Sequence, residues 1–214
     1  SSDDTRDVAR AAGATVIEQD WLGYGHQKRF AVSKATNDWV LCIDADERVS
    51  SQLKTGLLAE LQAPRARVYA MARCNRFLGR WLKHGEGYPD WSIRLFHRSA
   101  ARWSDDPVHE KVETNEAVAR LAGDLLHESA DSLERYLDKQ NRYTSLQAER
   151  LRAQGRTANA LHLVVSPLAR FLKFYIIRLG FLDGLPGLVH VVIGCMNSFT
   201  KYAKLINLNR GAGR

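Results

Sequence analysis

The sequence predicts an α/β protein with a mostly parallel sheet flanked by helices and a helical extension at its C-terminal end. Segments of helical and strand character alternate over residues 5–61 with short connections, which is typical of a parallel sheet. Residues 39–43 are a short apolar run of the kind found in buried parallel strands. After residue 131 the sequence becomes helical in pattern and rich in basic residues.

The N-terminal elements follow from capping residues and apolar runs. Residues 5–12 are predicted as a helix, because two aspartates precede it and a glycine follows it. Residues 14–17 are predicted as a strand, and a loop with two glycines then leads to a helix over residues 27–35. Because this pattern opens with a helix, we expect a first strand and a further helix upstream of Ser1.

The strand over residues 39–43 runs directly into the acidic residues Asp44, Asp46 and Glu47. In open α/β sheets, ligands bind beyond the carboxyl ends of the strands, where Asp44 and Asp46 would emerge. Two hard oxygen ligands there suit Mg²⁺ or Mn²⁺ bridging a diphosphate. The alternative is that these acids cap a helix or form a solvated turn.

Later elements are predicted from similar patterns. A helix is expected over residues 50–61, with Ser50 or Ser51 as its N-cap, and strands over residues 68–74 and 92–97. Residues 132–154 form a charged helix with apolar residues at helical spacing. Two apolar stretches follow. The first, residues 161–182, contains three basic residues, and the second, residues 185–199, is shorter than the roughly 20 residues that span a bilayer.

Charge is concentrated at the C-terminal end. The 214 residues carry a formal net charge of +7, and residues 156–214 hold eight basic residues against one acid, which accounts for all of it. This asymmetry favours an anionic partner, either a membrane surface or a nucleic acid. The three cysteines are far apart and form no C-x-x-C, which argues against a disulfide framework or a zinc site and favours a cytoplasmic compartment.

Several motifs occur in order along the chain. They are SSDDT (1–5), AGATV (12–16), WLGYGHQK (21–28), DWVLCIDADER (38–48), YPDWSIRLF (88–96), VHE (108–110), LH (126–127) and FLDG (181–184). In these motifs the chain resembles the family 2 glycosyltransferases of the GT-A (Rossmann-like) fold, and most closely their lipopolysaccharide core β-1,4-glucosyltransferase branch. The resemblance extends over essentially the whole chain. It departs at Arg29, where the family tends to have Asn, and at the start, where the family has an apolar strand and a base-recognising acid before the first motif.

The resemblance implies an inverting, metal-dependent transfer of a hexose, glucose from UDP-glucose, to a lipid-linked saccharide such as lipopolysaccharide core. It divides the chain into a GT-A catalytic domain, residues 1–130, lacking its first strand, and a helical, basic, amphipathic region, residues 131–214. It places the protein in the cytoplasm, peripheral on the inner face of the bacterial inner membrane. Two alternatives stay open: a related transferase with another nucleotide-sugar donor or glycan, and a non-catalytic basic protein that binds membrane or nucleic acid. No recognisable nucleic-acid motif supports the last reading, so no nucleic-acid partner is expected.

The resemblance also assigns the metal and its surroundings. Asp46 is the expected ligand of Mn²⁺ or Mg²⁺, which would stabilise the departing phosphate as a Lewis acid. Asp44 is expected beside the ribose or a metal-bound water, and Glu47 either takes part in the site or is a capping or solvated acid. His127 and His109 are candidates for metal or phosphate contact, with a structural role as the alternative.

Donor and acceptor contacts are assigned to basic and aromatic residues. Lys28 and Arg94 are expected to hold the diphosphate or the acceptor through charge-assisted hydrogen bonds, and Asp3 is a further donor-binding candidate. Three aromatic residues are candidates to stack on sugar rings or to pack the loop around them: Trp81, Tyr88 and Trp91.

The general base is expected to be a carboxylate near the sugar hydroxyls. Glu110 is the first candidate, because in the family a short acidic motif follows the strand matched by residues 93–96. Asp90, in the loop on the acceptor side, is the rival. The alternative for either residue is an ordinary salt bridge or a loop cap.

Residues 170–182 are predicted to dock on a membrane. Large apolar side chains are interspersed with Arg170, Lys173 and Arg178, as in amphipathic elements that lie in the plane of an anionic membrane surface. The alternative is a hydrophobic helix packed on the catalytic domain or on a second copy of the chain.

Overall fold

The computed structural model describes residues 3–105, 110–128 and 132–211. The helices are α1 (Thr5–Ala11), α2 (Tyr24–Lys34), α3 (Ser51–Gln62), α4 (Leu133–Ala153), α5 (Ala160–Phe171) and α6 (Gly184–Gly211). The strands are β1 (Trp39–Leu41), β2 (Glu47–Val49), β3 (Val68–Phe77), β4 (Arg80–Trp81), β5 (Asp90–His97), β6 (Ala101–Trp103), β7 (Val112–Thr114) and β8 (Val118–His127). A π-helical segment, Leu172–Ile177, continues α5, and a 3-10 turn, Gly180–Asp183, leads into α6.

Five strands form one sheet in the order β1–β5–β3–β8–β2, and β4 pairs with β3. Strands β6 and β7 form a separate hairpin. The α/β class with flanking helices is confirmed. The predominance of parallel pairing is corrected: β3 and β8 run parallel, and the other described pairs run antiparallel. The reason is that β3 returns to β5 through a loop without a crossover helix, and only a crossover places consecutive strands parallel.

Most of the predicted elements form, with shifted ends. The helix after the acidic segment begins at Ser51, and the hydroxyl of Ser50 accepts the Leu53 N–H at 3.2 Å, as an N-cap should. The predicted strand over residues 14–17 is wrong, because this segment pairs with no strand of the described chain and runs as irregular, largely exposed backbone. An apolar run forms a strand only where a sheet edge accepts its hydrogen bonds.

The core lies on both faces of the sheet. One face packs against α3 through Leu53, Tyr69 and Leu125, each fully buried, and the other packs Phe96 against Trp103 of the β6–β7 hairpin. Helix α3 can approach β8 this closely because of Gly123. A Cβ at that position would lie 2.4 Å from the Leu53 nitrogen, and its φ of +95° disfavours any other residue.

The C-terminal helices are tied to the loop between β4 and β5. Asp183, only 2% exposed, accepts the backbone N–H groups of Lys83 at 3.0 Å and His84 at 2.8 Å. Arg170 of α5 pairs with Glu86 of the same loop and donates to the Ser198 hydroxyl at 3.2 Å. The expectation that Arg170 flanks a membrane-facing surface is therefore corrected, because its guanidinium points inward to the partly buried carboxylate of Glu86.

Two helical segments, Ala160–Ile177 and Gly180–Arg210, are long and apolar enough to cross a membrane by length and composition. The second contains the apolar stretch of residues 185–199, which is too short by itself to cross a bilayer, and α6 extends beyond that stretch at its C-terminal end to Gly211. None of the first segment is buried, and 33% of the second is buried. The exposed face of α5 is thus apolar, whereas α6 packs against both α4 and α5.

Candidate active site

Four charged side chains from separate elements meet where β1 ends; we call them the charged cluster. Asp44 Oδ1 lies 3.1 Å from Lys28 Nζ on α2, and Asp44 Oδ2 accepts a hydrogen bond from Arg94 Nη2 on β5 at 2.9 Å. The same Arg94 nitrogen donates to Glu47 Oε1 at 2.6 Å. The fold therefore brings together three predicted site residues that are far apart in the sequence: Lys28, Asp44 and Arg94.

Glu47 holds this arrangement in place. Its backbone N–H donates to the Asp44 carbonyl at 3.0 Å, and its carboxylate accepts the Asp44 N–H at 3.0 Å, which closes a tight turn. The Glu47 side chain is fully buried and balances the buried guanidinium of Arg94. Glu47 is thus neither a helix cap nor a solvated acid. It orients Asp44 and Arg94, a role that no sequence pattern indicated.

Asp44 is negatively charged in this setting. Burial alone would raise the pKa of its carboxyl group, but Arg94 and then Lys28 outweigh that effect, so the pKa lies below its usual value. In the charged cluster this carboxylate and that of Glu47 lie against the basic side chains of Lys28 and Arg94. A phosphate group could bind here by displacing carboxylate contacts of Lys28, whereas Arg94 is held more firmly because Glu47 also binds it.

Asp46 and His127 form a second group next to this cluster. His127 ends β8, where it lies opposite Glu47 of β2 and Asn75 of β3. Its Nε2 is 3.1 Å from Asp46 Oδ2, and its Nδ1 is 2.8 Å from Asn75 Oδ1. Because a carbonyl oxygen only accepts hydrogen bonds, Asn75 Oδ1 is placed to accept an Nδ1–H of the imidazole, which would leave Nε2 available to bind a cation together with Asp46.

This pair of side chains fits a divalent cation that also binds a diphosphate. A carboxylate oxygen and an imidazole nitrogen can both donate electron pairs to a cation, and histidine ligands usually donate their other N–H to a carbonyl, which Asn75 is placed to accept here. Within the described ranges, no group of three or more His, Cys, Asp or Glu side chains forms a metal site by itself. The other ligands would therefore be phosphate oxygens and water, as is usual for Mg²⁺ in nucleotide sites.

A cavity of about 330 Å³ opens beside the charged cluster; we call it the sheet-end cavity. Glu110 Oε1 lies on its wall, 3.3 Å from Lys28 Nζ. Asp90 is also on the wall, but Arg73 binds it twice, with Nε at 2.9 Å and Nη2 at 2.7 Å. Both candidate bases thus reach the same cavity, and Asp90 is the more strongly tied to a permanent cation.

Trp103 was not predicted as a site residue, and it lines this cavity. Lys28 Nζ is 4.6 Å from the centre of its ring, and the Arg94 guanidinium carbon is 5.8 Å away. The indole N–H donates to the Cys42 sulfur at 3.4 Å. Cation–π contact with the ring therefore helps to hold the Lys28 and Arg94 side chains in place. Trp103 belongs to β6 of the separate hairpin, and only the tertiary structure brings it next to Lys28 and Arg94.

The remaining candidates lie elsewhere. No contact of the described chain brings Asp3 to these groups, and its carboxylate accepts the Thr5 N–H at 3.3 Å. His109 lies outside the described residues. Of the three aromatic candidates only Trp91 lines the sheet-end cavity. Tyr88 donates to Asp124 at 2.8 Å, and burial together with this carboxylate raises its pKa to about 12, so it packs the loop.

Comparison with known proteins gives a consistent result. The family model of glycosyl transferase family 2 matches residues 1–122. An uncharacterized glycosyltransferase of Rickettsia typhi is 33% identical over 221 residues, which cover 98% of this chain and 76% of that protein. The lipopolysaccharide core biosynthesis glycosyltransferase LpsC of Rhizobium meliloti is 29% identical over 192 residues, 87% of this chain and 70% of that protein.

Proposed function

The chain belongs to glycosyl transferase family 2, and from that premise we propose that it is an inverting, metal-dependent hexosyltransferase. Its donor is UDP-glucose, and its acceptor is a lipid-linked saccharide such as lipopolysaccharide core. The observation that carries this proposal is the convergence of Lys28, Asp44 and Arg94 with Glu110 around one cavity. The name of the Rhizobium meliloti relative supports the choice of acceptor.

The charged cluster binds the donor in this proposal. Lys28 and Arg94 offset the charge of the diphosphate through charge-assisted hydrogen bonds, and Asp44 contacts the ribose or a metal-bound water. A bound Mn²⁺ or Mg²⁺, held by Asp46 and His127, would supply Lewis-acid stabilisation of the departing phosphate. Trp103 contacts the side chains of Lys28 and Arg94, and Glu47 binds Arg94, so both basic side chains are kept in position.

Glu110 acts as the general base. Its carboxylate takes the proton of an acceptor hydroxyl, the hydroxyl oxygen forms a bond to the anomeric carbon, and the bond from that carbon to the diphosphate breaks with its electron pair on UDP. Attack from the face opposite the leaving group inverts the anomeric centre. Asp90 serves better to hold Arg73, because two hydrogen bonds from that permanent cation bind its Oδ2.

Membrane docking brings the enzyme to its acceptor at the inner face of the bacterial inner membrane. Along α5 and the turns that follow it, large apolar side chains are exposed, among them Val164 at 66%, Leu168 at 56% and Ile177 at 75%. Lys173 and Arg178 lie on the same exposed segment, both near the ring of Phe174. An apolar surface with basic neighbours binds anionic lipid.

The first experiment is a thermal-shift panel of UDP, GDP, CDP and TDP, each with and without Mn²⁺. A manganese-dependent shift selective for UDP, followed by glucose transfer to a lipopolysaccharide core acceptor, is the expected result. A shift selective for another nucleotide would assign a related transferase with a different donor. If no nucleotide stabilises the protein with metal, the transferase proposal fails.

A further inference from the structure

A second cavity, of about 560 Å³, lies between the end of the sheet and the C-terminal helices; we call it the helix-side cavity. It is lined by His127 of β8 and Asn75 of β3, and by Tyr136 and Lys139 of α4. The roles proposed above for the charged cluster and for Asp46 and His127 assign no ligand to this cavity.

The two cavities meet at Arg73, which lines both of them. Its guanidinium is fixed there by the two hydrogen bonds to Asp90. A molecule in the helix-side cavity would therefore reach the sheet-end cavity past this ion pair. This is the position from which a second substrate could approach a sugar held near the charged cluster.

One wall of the helix-side cavity is aromatic. The ring of Phe77 lies 5.3 Å from that of Tyr136 and 5.3 Å from that of His190. Burial lowers the pKa of His190, so its ring is uncharged at neutral pH. Three neighbouring rings without charge offer an apolar surface with polar edges, which suits the C–H face of a pyranose.

The charged side chains of the same cavity are mainly cationic. Arg73, Arg76 and Lys139 line it, and Glu128 is the single acid among its described lining residues. Arg73 is compensated by Asp90 and Arg76 by Glu128. Across the three described ranges, no hydrogen bond or ion pair joins Lys139 to another residue. Among the described residues, Lys139 is thus a cation without a charged partner on the wall of this cavity.

We propose that the helix-side cavity binds the acceptor saccharide, and that this saccharide is anionic, with a carboxylate or phosphate that pairs with Lys139. This inference rests on the proposed function and adds the location and chemical class of the acceptor. The sugar ring packs on the rings of Phe77 and Tyr136, and its reactive hydroxyl points past Arg73 toward Glu110. Helix α4, outside the part matched by the family model, then selects the acceptor.

The test is saturation-transfer NMR on the full chain with two matched pairs of probes. These are galacturonate against galactose, and glucose 6-phosphate against glucose, all with saturating UDP and diamagnetic Mg²⁺ so that the charged cluster is filled. The wild type should bind each anionic probe several-fold more tightly than its neutral partner. Lys139→Gln should abolish that preference, and Lys139→Arg should restore it. The control is Arg142→Gln, an exposed cation on the same helix that lines neither cavity, and it should keep the preference.

Equal binding of neutral and anionic probes, or the same loss in the Arg142→Gln variant, would overturn the inference. UDP binding is read in the same samples from the nucleotide resonances. Normal UDP binding without a Lys139-dependent preference contradicts only the helix-side inference. Absence of UDP binding contradicts the proposed function, and a Lys139-dependent preference in that case would mark an anionic site that does not serve transfer. If the preference is seen with only one pair of probes, that pair identifies the anionic group: a carboxylate for galacturonate, or a phosphate for glucose 6-phosphate.

Discussion

The carboxylate of Asp46 and the imidazole Nε2 of His127 lie 3.1 Å apart, although 81 positions separate them in the chain. The contact exists because β2 and β8 pair so that Glu47 and His127 are partners, which places the residue before β2 beside the end of β8. Asn75 of the next strand orients the ring. Two hydrogen-bonded strand pairs thus build the site that we assign to the metal.

Asp46→Asn is expected to abolish glucose transfer while leaving the fold unchanged. The Asp46 side chain is 46% exposed, so the free energy of unfolding should change by no more than about 0.5 kcal/mol. Transfer and thermal stability are measured together, with Asp138→Asn, an exposed acid on α4, as the control. Full turnover by Asp46→Asn would remove the metal assignment.

Asn75→Ala is expected to weaken Mn²⁺ binding by about 10–100-fold, because the His127 ring loses the acceptor that fixes its proton on Nδ1. The affinity is measured by Mn²⁺ electron paramagnetic resonance in the presence of UDP, independently of turnover. Asn75→Asp keeps an acceptor oxygen and should retain most of the affinity. An unchanged affinity in Asn75→Ala would show that the ring is oriented by other contacts.

Glu110→Gln is expected to lower the rate of transfer by about 10²–10⁴-fold without weakening UDP binding, because an amide cannot accept the hydroxyl proton. The rate constant and the UDP affinity are measured separately. Asp90→Asn is the comparison, and it should affect mainly the position of Arg73. If Asp90→Asn stops the chemistry and Glu110→Gln does not, the base is Asp90.

His190 predicts a loss of stability in mild acid. Burial, and then the charge of Arg170, lower its pKa, so the unfolded chain takes up a proton at a higher pH than the folded chain does. Its contribution is therefore complete above the unfolded pKa of about 6.5 and decreases as the pH falls below that value, by at most about 1.4 kcal/mol per pH unit. Melting temperatures between about pH 7.5 and 5.5 should fall less for His190→Gln than for the wild type. Identical slopes would contradict this role for His190.

Leu168→Asp combined with Ile177→Asp is expected to release the protein from anionic liposomes, because both side chains lie on the exposed apolar face of the α5 region. Lys173→Gln and Arg178→Gln should each weaken binding by about 1 kcal/mol. Cosedimentation measures both effects. Leu58→Asp, an equally exposed apolar residue on α3, is the control. Undiminished sedimentation of the double variant would contradict membrane docking by this face.

Much of the fold could be read from local patterns. The Ser50 cap and the long strand from Val68 were predicted because caps and apolar runs act over a few residues. The strand over residues 14–17 was predicted wrongly, and the pairing of the sheet was expected to be mostly parallel. Both depend on which neighbour a strand finds, and a short sequence window does not contain that neighbour.

The residues of the candidate site also fall into two groups: those predicted from sequence motifs, and those whose role is visible only in the structure. Asp44, Asp46, Lys28 and Arg94 were predicted from motifs, because their side chains carry the charge that diphosphate chemistry needs. Glu47, Asn75 and Trp103 were not assigned their roles, since orienting a neighbour leaves no signature in sequence. Their functions are visible only in the distances to residues that they support.

The sequence by itself determined the chemical groups of this protein, the order of most of its helices and strands, and its family resemblance, because these depend on residue types and short-range spacing. Only the tertiary structure decided that Arg170 turns inward to Glu86, that Asp46 meets His127, and that a second cavity opens beside Lys139. Such contacts join residues distant along the chain, and burial and strand pairing select among the many partners that the same charges could have.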